Sequence, residues 1–452
     1  MRICFIPIDN RPVCYSLAKD ISAIDSSLEL LIPPREYLGD LVKKADIKKL
    51  YEWLNNIDSF DAIILSLDTL AYGGLIPSRR CTETFEEIKT RIKKLKQILL
   101  DKNAKVYAFS SIMRISNNNY NEEEKEYWKY YGKKIFEYSY NFNKNGQADS
   151  LAIPDEVLTD YLETRKRNFE INKIYLDWEK EGFFDTLVFS KDDCAEFGLN
   201  VIEAKELEAL GGLVKTGADE IPLTLLARSI KNNIKVFVEY TEPDCKNLIS
   251  NYEDVSIERS VLGQLDLGGF TVTEKEEEAD IILIVNNFRD KQGELVMGWD
   301  TKCRYSGSFD LPEKPFAIAD VRYANGADNT FVEELIKALD NTNNISKFMG
   351  YAGWNTSANT LGSLLAGVKV KYNANKYNPI AFNKLQTIRF LDDWAYQANV
   401  RAMITEPCDI CEQMSPFAKK VLSIFDCGID FEKLNYTYPW NRKFEIEINI
   451  SK

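Results

Sequence analysis

The stretch Ala62-Ile-Ile-Leu-Ser-Leu67, followed by Asp68-Thr-Leu-Ala-Tyr-Gly-Gly-Leu-Ile-Pro-Ser-Arg79, decides the fold class. Its first six residues are almost all apolar and show no polar alternation, which predicts a strand buried on both faces. The polar and glycine-rich residues that follow predict the end of the strand. A buried strand that leads into such a turn and then into a helix is the repeating unit of an α/β protein.

The same rhythm recurs along most of the chain. Helical stretches such as Ala45–Asn55, Thr84–Leu99 and Thr330–Leu339 separate short β-branched runs. The predicted strands are Ile3–Ile8, Leu28–Ile32, Ala62–Leu67, Lys105–Ser110, Thr186–Ser190, Ile234–Tyr240, Phe270–Thr273, Ile281–Val285, Phe316–Ala319 and Phe348–Tyr351. The pattern predicts mostly parallel sheets flanked by helices.

Two architectures are consistent with this order of elements. The first has two doubly wound, Rossmann-like layers around a cleft, and the second is a distorted (β/α)8 barrel. Ten strands are too many for a simple barrel, so we expect the first. The predicted domains are residues 1–230 with a helical insertion at 117–182, residues 231–370, and a C-terminal extension at 371–452. The extension contains a helix at Leu385–Arg401 and a strand at Arg442–Ile450.

The composition excludes several classes of protein. The 452 residues include no histidine, which excludes Ser-His-Asp and Cys-His nucleophile systems and the HExxH zinc site. Any general acid or general base must therefore be an Asp, Glu, Tyr, Lys or Cys side chain. A net charge of −13 argues against a nucleic-acid partner. The longest apolar runs are far shorter than the ~20 residues of a membrane helix, so no membrane partner is expected.

The cysteines predict a reducing compartment. Nine cysteines, an odd number, are scattered along the chain, which suits reduced thiols in the cytoplasm. Cys408 and Cys411 form a single CxxC pair with no second pair at zinc-site spacing. No glycine motif for a nucleotide is present either. We therefore predict a cytoplasmic protein with no metal and no cofactor, and the sequence makes no prediction of an oligomeric state.

Polar side chains follow nearly every predicted strand, where a parallel sheet places its site. A single polar residue at a strand end is usually a helix cap, but the accumulation favours a functional site. The candidate site residues are Asp9, Arg11, Asp68, Tyr72, Arg79, Arg114, Asp192, Asp193, Asn325, Asp328, Trp354, Asn355 and Asn359.

Several of these segments also resemble a known bacterial family. The stretches PIDNRP, SLDTLAYGGLIPSR, SKDDCAEFGL, TGADEIPLTLLAR, ANGAD, YAGWNTSANTLG and RFLDDWAYQANVR are similar to the family catalogued as domain of unknown function 4127. The resemblance spans essentially the whole chain. It implies no activity, so function is argued from the residues.

The adjacent carboxylates Asp192 and Asp193 are the predicted catalytic pair. Two carboxylates held close together cannot both ionise freely, so one pKa should rise, as a general acid requires. The layout is similar to the Asp-Asp pair of hexosaminidases that use the acetamido group of the substrate as nucleophile. On that resemblance Asp192 would orient the acetamide and Asp193 would be the acid/base. The alternative is that both aspartates cap the following helix.

The remaining residues suit a sugar. The rings of Tyr72 and Trp354 could stack on a pyranose, and the arginines and amides could bind its hydroxyls. Alternatively, Trp354 is a core residue, and Asn355 and Thr356 cap the next helix. The carboxylates of Asp219 and Glu220 are interpreted as structural residues at a helix start, and of Asp392 and Asp393 at most one could enter a site.

We therefore predict a glycoside hydrolase-like enzyme that acts on a small molecule or an oligosaccharide. Two alternatives stay open. The first is a divalent-metal-dependent phosphoryl-transfer or hydrolytic enzyme on a small anionic substrate, with Asp9, Asp68, Asp192 and Asp320 as oxygen ligands. The second is a non-catalytic sugar-binding protein.

Overall fold

A computed structural model describes residues 1–301, 304–307, 311–340, 342–404 and 410–450. Cys408, half of the predicted CxxC pair, lies outside this part of the chain. The chain forms two compact units. The first consists of Met1–Tyr15, Glu29–Leu225 and Tyr252–Asp254, and the second of Ser16–Leu28, Leu226–Asn251 and Val255–Lys452.

The bounds of the regular elements follow in chain order. The strands are β1 (Arg2–Ile6), β2 (Glu29–Leu31), β3 (Ala62–Ser66), β4 (Lys105–Ile112), β5 (Thr186–Lys191), β6 (Leu213–Thr216), β7 (Ile234–Tyr240), β8 (Phe270–Val272), β9 (Ile281–Asn286), β10 (Gly293–Glu294), β11 (Phe316–Asp320), β12 (Tyr323–Ala324), β13 (Phe348–Ala352), β14 (Leu434–Thr437) and β15 (Glu447–Ile450). The helices are α1 (Ser16–Ser22), α2 (Ile47–Asn56), α3 (Leu67–Tyr72), α4 (Leu75–Arg80), α5 (Phe85–Lys102), α6 (Trp128–Asn145), α7 (Asp155–Lys180), α8 (Leu199–Ala209), α9 (Ile221–Ser229), α10 (Ile257–Leu267), α11 (Asn329–Leu339), α12 (Thr342–Lys347), α13 (Ser357–Tyr372), α14 (Pro379–Arg389) and α15 (Ile410–Ile424).

The first unit is built on a six-stranded parallel sheet with the order β2-β1-β3-β4-β5-β6. Every residue of β3 is buried, as its apolar run predicts, and Ile64 aligns with Phe5 on one side and Tyr107 on the other. The order reverses between β1 and β3. In doubly wound sheets, ligands bind outside the carboxyl ends of the strands at such a switch point.

The second unit contains a five-stranded parallel sheet with the order β13-β11-β9-β7-β8. In both sheets the second strand along the chain lies on one side of the first, and the later strands are added on its other side. The switch point of this sheet therefore lies between β7 and β9. The prediction of parallel α/β layers is confirmed. Both sheets have free edge strands, so the barrel alternative is wrong for the described residues.

Helices cover the sheets through apolar faces. In the first unit, Ile92 and Leu95 of α5 belong to the same buried cluster as Ile63 and Leu65 of β3. Each fully buried side chain of this kind contributes about 1.5–3 kcal/mol. Thr84 and Glu87 form a capping box that fixes the start of α5. These contacts hold the carboxyl end of β3 in a defined place.

Two local features of the second unit were hidden in the sequence. The predicted helix at 385–401 is present, but its residues Phe390–Val400 are wound as a π-helix that continues α14. π-helical turns are rare and occur frequently at functional sites. In addition, the early segment Ser16–Leu28 belongs to this unit, where Asp25 accepts hydrogen bonds from the backbone of Asn375 and Lys376 at 3.1 and 3.0 Å.

Candidate functional site

The carboxyl edge of the first sheet collects charged side chains from five of its strand ends. Asp9 and Arg11 follow β1, Arg79 lies on α4 after β3, Arg114 follows β4, and the Asp192–Asp193 pair follows β5. Asp219 follows β6. Four inter-strand spacings separate β1 from β6, or about 19 Å. The loops nevertheless meet over the sheet, because Arg11 contacts Asp219.

Arg11 joins two carboxylates. Its Nε and Nη2 donate to Asp9 Oδ2 at 2.9 and 2.8 Å, and its Nη2 and Nη1 donate to Asp219 Oδ1 and Oδ2 at 2.6 and 3.2 Å. Such charge-assisted, two-pronged contacts are strong and fix geometry. The pair of loops is therefore held by one guanidinium.

The same position has the ligand atoms for a cation. One atom each of Asp9, Cys14 and Asp219 lies within 4.8 Å of the others. However, Arg11 Nη2 already lies 2.8 Å from Asp9 Oδ2, 3.9 Å from Cys14 Sγ and 2.6 Å from Asp219 Oδ1. A metal ion would have to displace this guanidinium, so the arrangement fits an arginine better than a metal.

Asp68, at the start of α3, is almost completely buried. Its Oδ2 accepts a hydrogen bond from the backbone N–H of Ser111 at 2.8 Å. Burial raises the pKa of Asp68 to about 7, and the negative charge of Asp192 adds to the rise, while the Ser111 hydrogen bond opposes it. Asp68 is consequently a buried carboxyl that gains or loses its proton near neutral pH.

Asp192 is the fixed member of the predicted catalytic pair. Its Oδ2 lies 3.0 Å from Nη1 of the buried Arg79, and its Oδ1 accepts a hydrogen bond from the backbone N–H of Asp193 at 2.9 Å. The side chain is 11% exposed. Neither aspartate caps α8, because Gly198 occupies the N-cap position and the N–H groups of Gly198 and Leu199 donate to Asn143 and Ser139 of α6. The capping alternative is therefore wrong.

Asp193 is the more accessible member, with 38% of its side chain exposed. Its Oδ2 lies 3.3 Å from Arg114 Nη1. Burial by the surrounding chain and the charge of Asp192 raise the pKa of Asp193 to about 7, and Arg114 opposes the rise. Solvent at the exposed part of the carboxyl screens these charges. The two aspartates thus differ in exposure and in their nearest arginine, although Arg114 also lies 3.9 Å from Asp192.

A second layer of carboxylates surrounds Arg79 and Arg114. Arg114 contacts Glu123 Oε2 and Glu124 Oε1 at 2.8 and 3.0 Å, and Arg79 lies 3.6 Å from both glutamates. Arg11, Arg79 and Arg114 are thus each paired with carboxylates. Tyr72 is buried, and the guanidinium of Arg167 lies 5.6 Å from the centroid of its ring. In this conformation neither face of the ring is accessible to a ligand.

In the second unit, Asp320 lies at the centre of a buried polar network. Its oxygens accept hydrogen bonds from Asn286 Nδ2 and the Asp328 N–H at 2.8 Å each, and from the Tyr351 hydroxyl at 3.2 Å. Burial and the charge of Asp328 raise the pKa of Asp320 to about 7. Asn286 and Asp320 are the last residues of β9 and β11, and Tyr351 lies within β13.

Asp328 and Asn325 follow β11 and β12. Asp328 caps α11 by accepting from the Thr330 N–H at 3.0 Å, and its second oxygen lies 3.2 Å from Arg322 Nε. Asn325 donates to Glu294 at 2.6 Å from a left-handed backbone conformation. Asparagine adopts this conformation more readily than most residues other than glycine.

Trp354, Asn355 and Asn359 follow β13 and are also buried. The Trp354 ring packs against Phe444 with centroids 5.8 Å apart, and it has no exposed face. Thr356 occupies the N-cap position of α13 without a capping side-chain bond. Asn359 instead donates to the Thr356 hydroxyl at 3.0 Å. The substrate contacts assigned to these residues stay predictions.

Asp393, on the π-helix, was not expected to be part of a site. It is fully buried, and its Oδ2 accepts the Gly353 N–H at 2.7 Å. Its Oδ1 has no hydrogen-bond partner among the described residues. Burial raises its pKa to about 6, while Arg389 opposes the rise. A helical pattern in the sequence cannot show that a π-helix turns this carboxyl inward.

A polar cavity of about 330 Å³ lies beside these residues in the second unit. Glu294, Asp300 and Asp328 contribute carboxylates, while Trp299 and Tyr323 contribute rings. The Tyr323 hydroxyl donates to Asp300 at 2.6 Å. A cavity of this size, with a few convergent polar groups at strand ends, is typical of a small-molecule site.

The fold and the strand-end residues define a class: open, doubly wound α/β proteins whose polar groups gather at the carboxyl ends of parallel strands. Comparison with known families is more specific. The family described as "Protein of unknown function (DUF4127)" matches residues 3–449, and the chain belongs to that family. A search of curated proteins finds no match. In the described residues, we find no helix with the length and apolar character needed to cross a membrane.

Proposed function

We propose that the protein is a carbohydrate-active hydrolase in which Asp193 is the general acid/base and Asp192 orients the substrate. One observation carries the proposal: two adjacent carboxylates at a strand end have different surroundings. When their surroundings give two neighbouring titratable groups different pKa values, one can act as the acid and the other as the base.

Asp193 has the two properties that a general acid needs. Its raised pKa keeps a large fraction of the carboxyl protonated near neutral pH, and its exposed part can reach a leaving-group oxygen. Asp192 has the properties of an orienting group, because Arg79 and the Asp193 N–H hold its oxygens in place. On an N-acetylhexosamine, Asp192 would accept from the acetamide N–H in a substrate-assisted reaction.

The charge pairing favours a neutral, hydroxylated substrate. Arg11, Arg79 and Arg114 each contact carboxylates of the chain, so binding a phosphate through them would require breaking ion pairs. A sugar can bind without breaking these ion pairs, because its hydroxyls can donate hydrogen bonds to carboxylates that already accept from arginine. The substrate is therefore a small glycoside or an oligosaccharide.

The metal-dependent alternative has less support. Of its four proposed ligands, Asp9 is bound to Arg11, Asp68 to the Ser111 N–H and Asp192 to Arg79. The fourth, Asp320, belongs to the sheet of the second unit. A chelator tests this alternative directly.

The sugar-binding alternative rests on the cavity of about 330 Å³ in the second unit. Its carboxylates and its rings are the groups that bind hydroxyls and pack on a pyranose. If this alternative holds, wild type binds a saccharide without turnover, and Asp193→Asn binds it equally well.

The deciding experiment is a panel of chromogenic glycosides, including N-acetylhexosaminides, with and without EDTA. We expect wild type to turn over at least one substrate in EDTA, and Asp193→Asn to lose about 10²–10⁴-fold, the usual worth of a general acid. The matched control is Glu196→Gln, an exposed carboxylate three residues away that should keep full activity. Full activity in Asp193→Asn contradicts the assignment, and activity abolished by EDTA supports the metal alternative.

A further inference from the structure

A cavity of about 1000 Å³ lies in the first unit between α2 and α5. It is lined by five basic residues, Lys43, Lys44, Lys48, Arg91 and Lys94. The proposed function uses none of them. A volume of this size is at the upper end of the range of small-molecule sites.

Tyr51 fixes the walls of this cavity, which forms a groove between α2 and α5. Its hydroxyl lies 3.3 Å from the Leu70 carbonyl oxygen on α3 and 3.2 Å from the Arg91 carbonyl oxygen on α5. Arg91 in turn donates to the Ala71 carbonyl on α3. Both α2 and α5 are therefore tied to α3, so the groove is a defined feature of the packing.

The groove has the opposite charge to the chain. Its five basic residues face only two acidic lining residues, Asp46 and Glu52, in a protein with a net charge of −13. Asp46 caps α2 through the Lys49 N–H at 3.1 Å. A concave surface of one sign raises the local concentration of ions of the other sign.

Two of the lysines have ammonium groups available for a ligand. Lys43 and Lys94 are exposed, and neither ammonium forms an ion pair within the part of the chain that the structure describes. By contrast, Lys44 lies 3.8 Å from Glu83, and Arg91 is paired with the same glutamate. The groove therefore has two exposed lysines that form no ion pair among the described residues.

The groove also has an apolar part. Ile47 and Ile98 line it together with the ring of Tyr51. Inorganic phosphate alone would leave these side chains uncovered, whereas an organic anion covers them and gains about 25 cal/mol per Å² of buried apolar surface. The combination of lysines and apolar side chains is suited to a ligand with one charged end and one apolar body.

We propose that this groove binds a phosphorylated small molecule with an aromatic or apolar body, of the size of a nucleoside diphosphate. Lys43 and Lys94 contact the phosphates, and Ile47, Tyr51 and Ile98 contact the body. The site is separate from the Asp192–Asp193 pair, so its occupancy does not depend on glycoside turnover.

The test is titration of the full chain with a fluorescent nucleoside diphosphate at low salt, followed by anisotropy. We expect Lys94→Glu and Lys43→Glu to weaken binding by about tenfold or more, equivalent to ~1.4 kcal/mol each. The matched control is Lys93→Glu, which makes the same charge change at the neighbouring exposed residue of α5, outside the groove. It should bind like wild type, and added salt should weaken binding to both.

Three outcomes would overturn the proposal: no binding by wild type, equal losses in Lys93→Glu and Lys94→Glu, or pyrophosphate binding as tightly as the nucleotide. The second outcome would assign the effect to net charge. Lys94→Gln, a milder change at the same exposed position, should weaken binding in the same direction. Thermal unfolding of each variant shows whether it is folded.

Discussion

Arg79 Nη1 lies 3.0 Å from Asp192 Oδ2, and this ion pair links the polypeptide after β3 to that after β5, across the intervening strand β4. Arg79 is only 1% exposed, and Glu123 and Glu124 lie 3.6 Å from its other nitrogens. One guanidinium therefore offsets the charge of several carboxylates.

Replacing Arg79 by Met should destabilise the protein by about 3–5 kcal/mol, because buried carboxylates lose their compensating charge. Urea unfolding measures the loss. Lys48→Met, at a side chain that is 86% exposed, should change the free energy of unfolding by less than about 0.5 kcal/mol. Equal losses of unfolding free energy in Arg79→Met and Lys48→Met would contradict the stabilising role of Arg79.

Asp68→Asn should remove part of the pH dependence of stability. The folded-state pKa of about 7 lies above the ordinary value, so the folded chain keeps a proton between about pH 4 and 7 that the unfolded chain has lost. This contribution to stability is complete below pH 4 and is lost as the pH rises to 7. A shift of about three units corresponds to at most ~4 kcal/mol.

The measurement is urea unfolding of wild type and Asp68→Asn at several pH values between 4 and 8. As the pH rises, the free energy of unfolding of Asp68→Asn should increase relative to that of wild type. Glu52→Gln, which removes an exposed carboxylate in the same way, is the matched control for the change from acid to amide. A difference between wild type and Asp68→Asn that stays constant with pH would contradict the raised pKa.

Arg114→Gln should move the alkaline limit of glycoside turnover, if Asp193 is the general acid. The acid must be protonated, so the rate falls as the pH rises through the pKa of Asp193, about 7. Because Arg114 holds this pKa down, its removal should shift the limit to higher pH. The readout is the pH at which kcat/KM is half its maximum. A shift to lower pH, or an equal shift in Arg80→Gln, would oppose the role of Arg114.

Gly353→Ala should disturb the network of the second unit. A Cβ at this position would lie 2.3 Å from the Tyr351 hydroxyl oxygen, which donates to Asp320. We expect a loss of about 1–3 kcal/mol in the free energy of unfolding. In Gly367→Ala, the nearest atom is 3.7 Å away and the position is inside α13, so the change should be neutral or stabilising. The opposite order of stabilities would contradict the packing described for Gly353.

The strands were predictable because their signal is local. Ile234–Tyr240 is a strand with the predicted bounds, and the other nine strands predicted between residues 3 and 351 have ends within two residues of the observed ones. The strand predicted at Arg442–Ile450 begins five residues later, at Glu447. The strand β6 was missed, because Leu213–Thr216 is four residues long and Lys215 interrupts its apolar character. A short edge strand leaves too few residues to show a pattern.

The candidate site was predictable only in part. The position of Asp192 and Asp193 at the carboxyl edge of the sheet was predictable because they directly follow a buried strand. The contact of Arg11 with Asp219 depends on how the loops after β1 and β6 cross the sheet, which no local pattern encodes. Asp393 was missed for another reason, since the 3.6-residue period of an α-helix gives the wrong direction for a residue on a π-helix.

The placement of Ser16–Leu28 in the second unit has a consequence for protein synthesis. Ile24 accepts a hydrogen bond from the Asn378 N–H, Asp20 pairs with Lys384, and Asp25 binds residues some 350 positions further along the chain. At the usual ~5–20 residues per second, the nascent segment waits on the order of 20–70 seconds for these partners. Throughout that time α1 lacks the helices α13 and α14 on which it packs, so this early segment completes its native contacts only after most of the chain has been synthesised.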